Sequence, residues 1–112
     1  MELKEKLELL NEKSSISEVQ QYIKDMKKAR KFEGVTIERE MMLFIEEIGE
    51  LAKAIRKNTN GSLDINKQYD VNVEEELADC FIYLLSIANM NHVDIFKAFK
   101  EKEEKNCKRI WK

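Results

Sequence analysis

Three glutamates stand among large apolar residues in the segment from Phe44 to Ile55. Glu47 and Glu50 are three residues apart, so on a helix they share one face, and Glu46 is four residues from Glu50. Carboxylates this close to apolar packing are costly unless a positive charge neutralises them. Taken alone, the segment is still more typical of a solvated helix face.

A second segment, from Glu75 to Leu85, repeats the arrangement. Glu76 and Asp79 are again three residues apart, and Tyr83 follows Asp79 by four on the same helix face. A single pair of helical glutamates is usually a solvated surface feature or the partner of a lysine. Here the pairs recur in the most apolar parts of the chain, where neighbouring like charges are unfavourable without a cation. The repetition predicts a metal held between two helices.

The ligand types indicate which metal this would be. Carboxylates without histidine or thiolate are hard oxygen ligands, which favour Mg²⁺, with Mn²⁺ as a substitute, over zinc. A di-iron site of the ferritin type would require Glu-x-x-His on two helices, and His92, the only histidine, lies outside both segments. Mg²⁺ commonly binds together with substrate phosphates and lowers the pKa of an attacking water. A spare carboxylate such as Glu46 could hold or deprotonate that water.

The composition indicates one all-helical domain over residues 1–112. The chain has no proline and three glycines, and good helix formers dominate. The chain has 20 Lys+Arg and 22 Asp+Glu residues, which gives a net charge of −2. A net charge near zero does not indicate a nucleic-acid-binding protein. No apolar run is long enough for a bilayer, and the start of the chain lacks a secretory signal. We therefore expect a cytoplasmic protein with reduced cysteines and without nucleic-acid or membrane partners.

Capping residues predict four firm helices. The first is expected from Ser17 to Lys31, with Ser17 and Gln20 as a capping box and Gly34 as the stop. Three more helices are expected at 37–57, from about 73 to 89, and after 91, with Thr36, Asn72 and Asn91 as their N-caps. Residues 1–15 are either a short helix or a frayed accessory segment. The connection from 58 to about 72 is predicted to be a long loop, of a kind that is often functional or mobile.

Taken together, the two carboxylate segments resemble the signature of a known family. Glu-Glu-x-x-Glu followed by Glu-x-x-Asp is similar to the motif of the MazG-like, all-α nucleoside triphosphate pyrophosphohydrolases. The matching stretches are Glu46-Glu47-Ile48-Gly49-Glu50-Leu51, Glu76-Leu77-Ala78-Asp79 and Ile82-Tyr83-Leu84-Leu85. Farther on, the family's Lys…Lys-Asn…Arg ending resembles Lys102, Lys105, Asn106 and Arg109. The likeness covers roughly residues 16–111.

The resemblance implies a fold, a reaction and a ligand set. The fold would be an all-α, four-helix MazG-like (dUTPase-like) helical bundle completed by oligomerisation, as a homodimer or homotetramer with helices of two chains making each site. The reaction would be Mg²⁺-dependent hydrolysis of a nucleoside triphosphate to the monophosphate and pyrophosphate, as in nucleotide-pool cleaning. Carried over residue by residue, the metal ligands are Glu47, Glu50, Glu76 and Asp79. Glu46 would be the catalytic, water-positioning group.

Further residues are predicted to bind the substrate. They are Lys53, Tyr83, Lys102, Lys105, Asn106 and Arg109. Two alternatives stay open here. Tyr83 is equally typical of a core tyrosine. The basic stripe of Lys102, Lys105 and Arg109 is more typical of a solvated face paired with neighbouring glutamates. Specialised pyrimidine-deoxynucleotide members use aromatic and histidine residues ahead of the first motif. This chain offers only Tyr22 and Phe32 there, so base selectivity is not carried over.

Two other functions compete with the enzyme hypothesis. One is a non-catalytic helical dimer, a regulatory or interaction module that uses the acidic face to bind metal or a partner. It predicts binding without turnover of any nucleotide. The other is nucleic-acid binding through the basic stripe of the last helix, with an affinity that falls with salt. The glutamates interleaved in that stripe argue against it.

Overall fold

Five α-helices make up the described part of the chain. The structure is a computed structural model that describes residues 1–59 and 72–110. The helices are α1 (Leu3–Leu9), α2 (Ile16–Ala29), α3 (Ile37–Thr59), α4 (Val73–Met90) and α5 (Ile95–Lys108). Because the described ranges contain no strand, the all-α prediction is confirmed. Of the predicted loop between α3 and α4, residues 60–71 lie outside the described ranges, and residues 58 and 59 belong to α3.

The described residues form two compact units. The terminal unit consists of the described parts of Met1–Gly34 and Leu85–Lys112, and the central unit of those of Val35–Leu84. Helices α1, α2 and α5 belong to the terminal unit and α3 to the central unit, while α4 begins in the central unit and ends in the terminal one. The single-domain organisation stays a prediction.

The terminal unit has a small apolar core. Ile23 and Met26 of α2 are three residues apart and buried, as are Leu85 and Ala88 of α4. Each helix therefore buries one stripe of an amphipathic pattern. Helix α2 also contacts α1 and α5. Within the described ranges, no helix combines the length and the apolar content that a membrane span requires.

The N-cap of helix α2 is Ser15, two residues before the predicted N-cap Ser17. The Ser15 side chain accepts a hydrogen bond from the Glu18 N–H at 3.1 Å, and the Glu18 carboxylate accepts one from the Ser15 N–H at 3.4 Å. This is the reciprocal pattern of a capping box. The predicted box of Ser17 and Gln20 is wrong, because the Ser17 hydroxyl donates to Asp94 at 3.2 Å and Gln20 is buried.

The caps of the two central helices are confirmed. The Thr36 hydroxyl accepts a hydrogen bond from the Arg39 N–H at 3.2 Å at the start of α3. The Asn72 side chain accepts one from the Glu75 N–H, also at 3.2 Å, at the start of α4. Both helices carry glutamates in their first turn, where negative charge is favoured by the helix dipole. Local sequence chemistry is therefore enough to locate the two helices that bear the carboxylates.

Helix α5 begins later than predicted. Its N-cap is Asp94, whose carboxylate accepts a hydrogen bond from the Lys97 N–H at 3.1 Å. Asn91, the predicted cap, instead donates its side-chain amide to the Ile87 carbonyl of α4 at 2.8 Å. Asn91 thus closes the preceding helix rather than opening the next one, since the free carbonyls at a helix end need donors.

Two helices end at non-glycine residues with a left-handed backbone. Lys31 follows α2 with φ 61°, and His92 follows α4 with φ 56°. In each case the next N–H donates to a carbonyl five residues back, at 2.7 Å after Lys31 and 2.9 Å after His92. This is the Schellman geometry, in which glycine is favoured because it has no Cβ to strain. Gly34 was predicted to stop α2, but Lys31 already does so.

Lys31→Gly and His92→Gly are each expected to raise the free energy of unfolding by about 1 kcal/mol, because the left-handed backbone costs a side chain roughly that much. For a chain of this size the midpoint of thermal unfolding, followed by circular dichroism, should rise by several degrees. Lys28→Gly is the control. It lies inside the last turn of α2, where glycine destabilises. A fall in the midpoint for both Lys31→Gly and Lys28→Gly would contradict the argument.

Candidate metal centre

Three carboxylates meet between α3 and α4 in the central unit. Glu47 of α3 and Glu76 and Asp79 of α4 each offer one carboxylate oxygen, and these oxygens all lie within 4.8 Å of one another. Glu76 and Asp79 are one turn apart, so α4 presents them on the same side. Glu47 and Glu76 are half-buried. The structure thus brings together three of the four residues that the sequence predicted as metal ligands.

The three carboxylates repel one another in the absence of a cation. Burial raises the pKa of Glu47, and the charges of Asp79 and Glu76 raise it further. A hydrogen bond with the Glu76 side chain and the charge of Glu50 act in the same direction. Like charges in a partly desolvated site favour a bound proton or cation. The electrostatics of the cluster therefore favour cation binding.

The donor set fits a hard divalent cation. All three groups are carboxylates, which Mg²⁺ and Mn²⁺ prefer. Two oxygens on one Mg²⁺ are at most about 4.2 Å apart, given bonds of about 2.1 Å. Oxygens within 4.8 Å of one another would need only small side-chain rotations to reach that spacing. The residues present can therefore hold such an ion.

The thiol of Cys80 adjoins this cluster without strengthening it. Cys80 is half-buried on α4. Burial raises the pKa of its thiol, and the charges of Glu47, Glu76 and Asp79 raise it further. A protonated thiol is a poor nucleophile and a poor metal ligand. The site therefore keeps its all-oxygen character.

Other predicted site residues of α3 do not belong to the cluster. Glu46, Glu50 and Lys53 are exposed on α3. Glu50 lies outside the group of three oxygens, although its charge acts on Glu47. The ligand role of Glu50, the water-handling role of Glu46 and the phosphate-binding role of Lys53 stay predictions.

Tyr83 lies one turn after Asp79 on α4 and is half-buried. Burial raises the pKa of its phenol, and the charges of Glu40, Glu47 and Asp79 raise it further. The hydroxyl group is therefore protonated at neutral pH and keeps a hydrogen to donate. A donor beside a cluster of carboxylates is suited to contacting a phosphate oxygen.

Glu40 is a neighbour of the site that sequence reasoning missed. Its side chain is only 4% exposed, which is rare for a glutamate. It precedes Glu47 by two helical turns, so both lie along one face of α3. That seven-residue spacing is the signal that could have identified it. Its charge is also the foremost of those acting on Tyr83.

The predicted basic residues at the end of the chain belong to the terminal unit. Lys102 and Lys105 are exposed on α5, and Arg109 is the C-cap of that helix. The Asn106 side chain donates a hydrogen bond to Glu103 at 3.3 Å. Contact with a neighbouring glutamate is what the solvated-face alternative expects of this stripe. The substrate-binding roles of these residues stay predictions.

The central unit exposes many large apolar side chains on α3 and α4. We call them together the α3–α4 apolar face. Its residues are Met41, Met42, Ile45, Ile48, Ile55, Leu77, Phe81 and Leu84, each at least 42% exposed. So many large exposed apolar side chains in one unit are more typical of an interface than of a monomer's surface.

The chain matches a protein-family model over most of its length. The MazG nucleotide pyrophosphohydrolase domain matches residues 35–111. The match includes both carboxylate segments and the whole of α3, α4 and α5, whereas α1 and α2 precede it. Comparisons with curated proteins and with solved structures gave no match.

Proposed function

Because the chain belongs to the MazG nucleotide pyrophosphohydrolase family, we propose that it hydrolyses a nucleoside triphosphate to the monophosphate and pyrophosphate, with Mg²⁺ or Mn²⁺ as cofactor. The observation that carries this proposal is the convergence of Glu47, Glu76 and Asp79, whose carboxylate oxygens lie within 4.8 Å of one another. Hydrolysis of a phosphoanhydride requires neutralisation of negative charge at the attacked phosphorus and on the leaving group. A divalent cation held by this cluster would neutralise that charge.

Glu47, Glu76 and Asp79 would hold the cation, and Glu50 would join them as a fourth ligand after rotation of its exposed side chain. A bound cation supplies neutralisation of phosphate oxygens and activation of a water. Glu46 follows the apolar Ile45 on the exposed side of α3 and would hold the water or accept its proton. These assignments give every carboxylate of the first motif a task.

The remaining polar residues would bind the nucleotide. The protonated hydroxyl of Tyr83 would donate a hydrogen bond to a phosphate oxygen, or its ring would stack on the base. Lys53, one turn after Glu50 on α3, would reach a phosphate. Basic side chains suit this role because phosphate oxygens are strong acceptors. The proposed contacts of the terminal unit are those of Lys102, Lys105, Asn106 and Arg109.

The α3–α4 apolar face supports the proposal of a homodimer or homotetramer in which this face is covered by a second copy. Met42→Glu is expected to reduce the mass measured by light scattering to that of a single chain, because a buried charge without a partner opposes association. Leu9→Glu is the matched control, since Leu9 in the terminal unit is as exposed as Met42, at 64%. It should leave the mass unchanged. A wild-type protein of one chain at micromolar concentration would disprove the proposed assembly.

A panel of canonical and modified ribo- and deoxynucleoside triphosphates with Mg²⁺, read out as pyrophosphate release, tests the function. We expect release from at least one member, and faster release from modified nucleotides would support a task in nucleotide-pool cleaning. Chelation of the divalent cation should stop the reaction. No turnover of any nucleotide, together with Mg²⁺-dependent stabilisation, would instead favour the regulatory module with an acidic metal-binding face.

A further inference from the structure

Helix α5 exposes an apolar stripe although it contacts α2. The Ile95 N–H at its start donates a hydrogen bond to the Gln20 side chain of α2 at 3.0 Å. Phe96 and Phe99 are nonetheless 49% and 61% exposed, and Cys107, two turns farther along the helix, is exposed as well. These side chains follow one side of the helix, because residues three, four and eight apart lie close to one line. Large apolar side chains gathered on one exposed side indicate an interaction surface.

A surface groove of about 430 Å³ lies along this stripe, and we call it the α5 groove. It is lined by Phe99, Lys100, Glu103, Glu104, Cys107 and Lys108. Four of these residues, from Lys100 to Cys107, have the spacing that forms a hole for a side chain of a packed helix. The long stems of its lysines and glutamates can cover an apolar side chain while their charged ends stay in water. The α5 groove therefore suits a large apolar side chain from another helix.

Phe99 of a second copy would fill the α5 groove in an antiparallel pair of α5 helices. The middle of the groove lies between Glu103 and Glu104. When Phe99 of each copy lies level with that point of the other, the two-fold axis passes between Glu101 and Lys102. Residues equally far from the axis on its two sides then face each other across the pair. Filling the groove thus fixes one register of the two helices.

Charges favour the same register. In that register Lys100 faces the partner's Glu103, and Glu103 faces the partner's Lys100. Within the described ranges neither side chain forms an ion pair, and the Glu103 carboxylate accepts hydrogen bonds from the Asn106 amide at 3.3 Å and the Cys107 thiol at 3.9 Å. A parallel pair would instead put the two Glu103 side chains beside each other, where like charges repel. Packing and charge therefore agree on an antiparallel pair.

The contact along α5 is small. The helix has 14 residues and is about 21 Å long, and one side of it covers less than the roughly 800 Å² per partner that a stable interface buries. The pairing is therefore weak by itself. It becomes strong where a second interface already joins the chains in pairs, because two α5 contacts then form together. The α3–α4 apolar face shares no residue with α5 and supplies such an interface.

We propose that α5 binds the α5 helix of a second copy in antiparallel orientation, with Phe99 in the partner's α5 groove, and that this contact joins two dimers into a tetramer. The proposal rests on the assembly through the α3–α4 apolar face that belongs to the proposed function, and it is independent of the hydrolysis. A tetramer is the commonest closed assembly with two different two-fold interfaces. Because the α5 contact is weak alone, Met42→Glu still gives single chains.

Phe99→Glu tests the proposal by light scattering at micromolar protein concentration. It should convert the tetramer into a dimer and raise the dimer–tetramer dissociation constant on the order of 100-fold, because a charge without a partner would enter each groove. Leu9→Glu is the control, since Leu9 of the same unit is 64% exposed and lies outside α5. It should remain a tetramer. Met42→Glu reads out the other interface separately.

A charge exchange tests the register and leaves the apolar stripe intact. Lys100→Glu and Glu103→Lys should each raise the dissociation constant about tenfold, because the ion pairs of both α5 contacts become repulsions. The variant with both substitutions should regain the wild-type mass, since each position again faces an opposite charge. Glu101→Lys, on the other side of the helix, should have no effect. Absence of rescue by the double substitution would contradict the register.

Disulfide formation tests the register independently, because Phe96 lies level with the partner's Cys107. Phe96→Cys should link two chains when oxidised glutathione takes up the hydrogens of the two thiols. The wild type should not, because its two Cys107 residues would lie roughly 16 Å apart along the helices, too far for a disulfide. Phe96→Cys combined with Cys107→Ser is the control and should form no such link.

Three outcomes overturn the antiparallel pairing. They are a mass that Phe99→Glu leaves unchanged, no link in Phe96→Cys, and a Cys107–Cys107 link that forms as readily in the wild type. The first two would leave a different protein as the occupant of the stripe, and the third would indicate a parallel pair. A wild type of one chain would instead overturn the assembly through the α3–α4 apolar face, and the disulfide of Phe96→Cys then decides about α5. Absence of nucleotide turnover affects neither result.

Discussion

Glu47→Gln is expected to lower kcat/KM for pyrophosphate release on the order of 1,000-fold while the helical circular dichroism is retained. The substitution replaces a carboxylate oxygen of the three-oxygen cluster by a neutral amide of nearly the same size. A neutral amide binds a hard divalent cation much less tightly than a carboxylate. Asp79→Asn should have an effect of the same order, because its carboxylate belongs to the same cluster.

Two further variants make this prediction specific. Glu74→Gln in the first turn of α4 is the control, since Glu74 is exposed and lies outside the cluster. It should retain near wild-type activity. Glu50→Gln should cost less than Glu47→Gln, because Glu50 must rotate to reach the cluster. Full activity of both Glu47→Gln and Asp79→Asn would refute the assignment of the site.

Glu47→Gln is also expected to stabilise the protein in the absence of divalent cations. It removes one of three neighbouring negative charges, which at these distances is worth about 1 kcal/mol after solvent screening. The unfolding midpoint should rise by several degrees in a chelating buffer. At saturating Mg²⁺ the wild type should instead be more stable than Glu47→Gln. The wild type gains about 2.7 kcal/mol at a cation concentration of 100 times Kd, whereas the variant gains little.

The stability difference between Glu47→Gln and the wild type should depend on pH. Folding raises the pKa of Glu47 from its ordinary value of 4.5, so the folded state binds this proton more tightly than the unfolded state. The stability contributed by the bound proton is present below pH 4.5 and is lost as the pH rises through the raised pKa. Without cations, the advantage of Glu47→Gln over wild type should therefore be larger at pH 7.5 than at pH 4.5. An advantage independent of pH, or a wild type that Mg²⁺ does not stabilise, would contradict the mutual repulsion of the carboxylates.

The capping errors show where local sequence chemistry is insufficient. Two serines compete to start α2, and Ser15 prevails because Ser17 is engaged by Asp94, far away in the sequence. Asn91 and Asp94 similarly compete to start α5, and the Asn91 side chain is used by the end of α4. In both pairs, each of the two residues is of a type that commonly caps a helix. A long-range contact to Asp94 engages Ser17, whereas Asn91 is engaged by a carbonyl only four residues earlier.

The carboxylates of the candidate site also separate what the sequence determines from what the tertiary structure decides. Helical spacing alone puts Glu76 and Asp79 on one side of α4, because residues three apart always share a face. The sequence also determined the hard-oxygen donor set, the all-α class and the likeness to the family that the chain matches. These properties follow from residue types and from spacing along the chain. They do not depend on how the helices pack.

Only the tertiary structure decided which glutamates of the first motif meet α4. The sequence offered Glu46, Glu47 and Glu50 on overlapping faces, and the structure places Glu47 against Glu76 and Asp79. It also buries Glu40 and Gln20. The rotation of one helix about its axis relative to the next is set by the summed packing of both apolar surfaces. A pattern read within a single helix contains no information about that rotation.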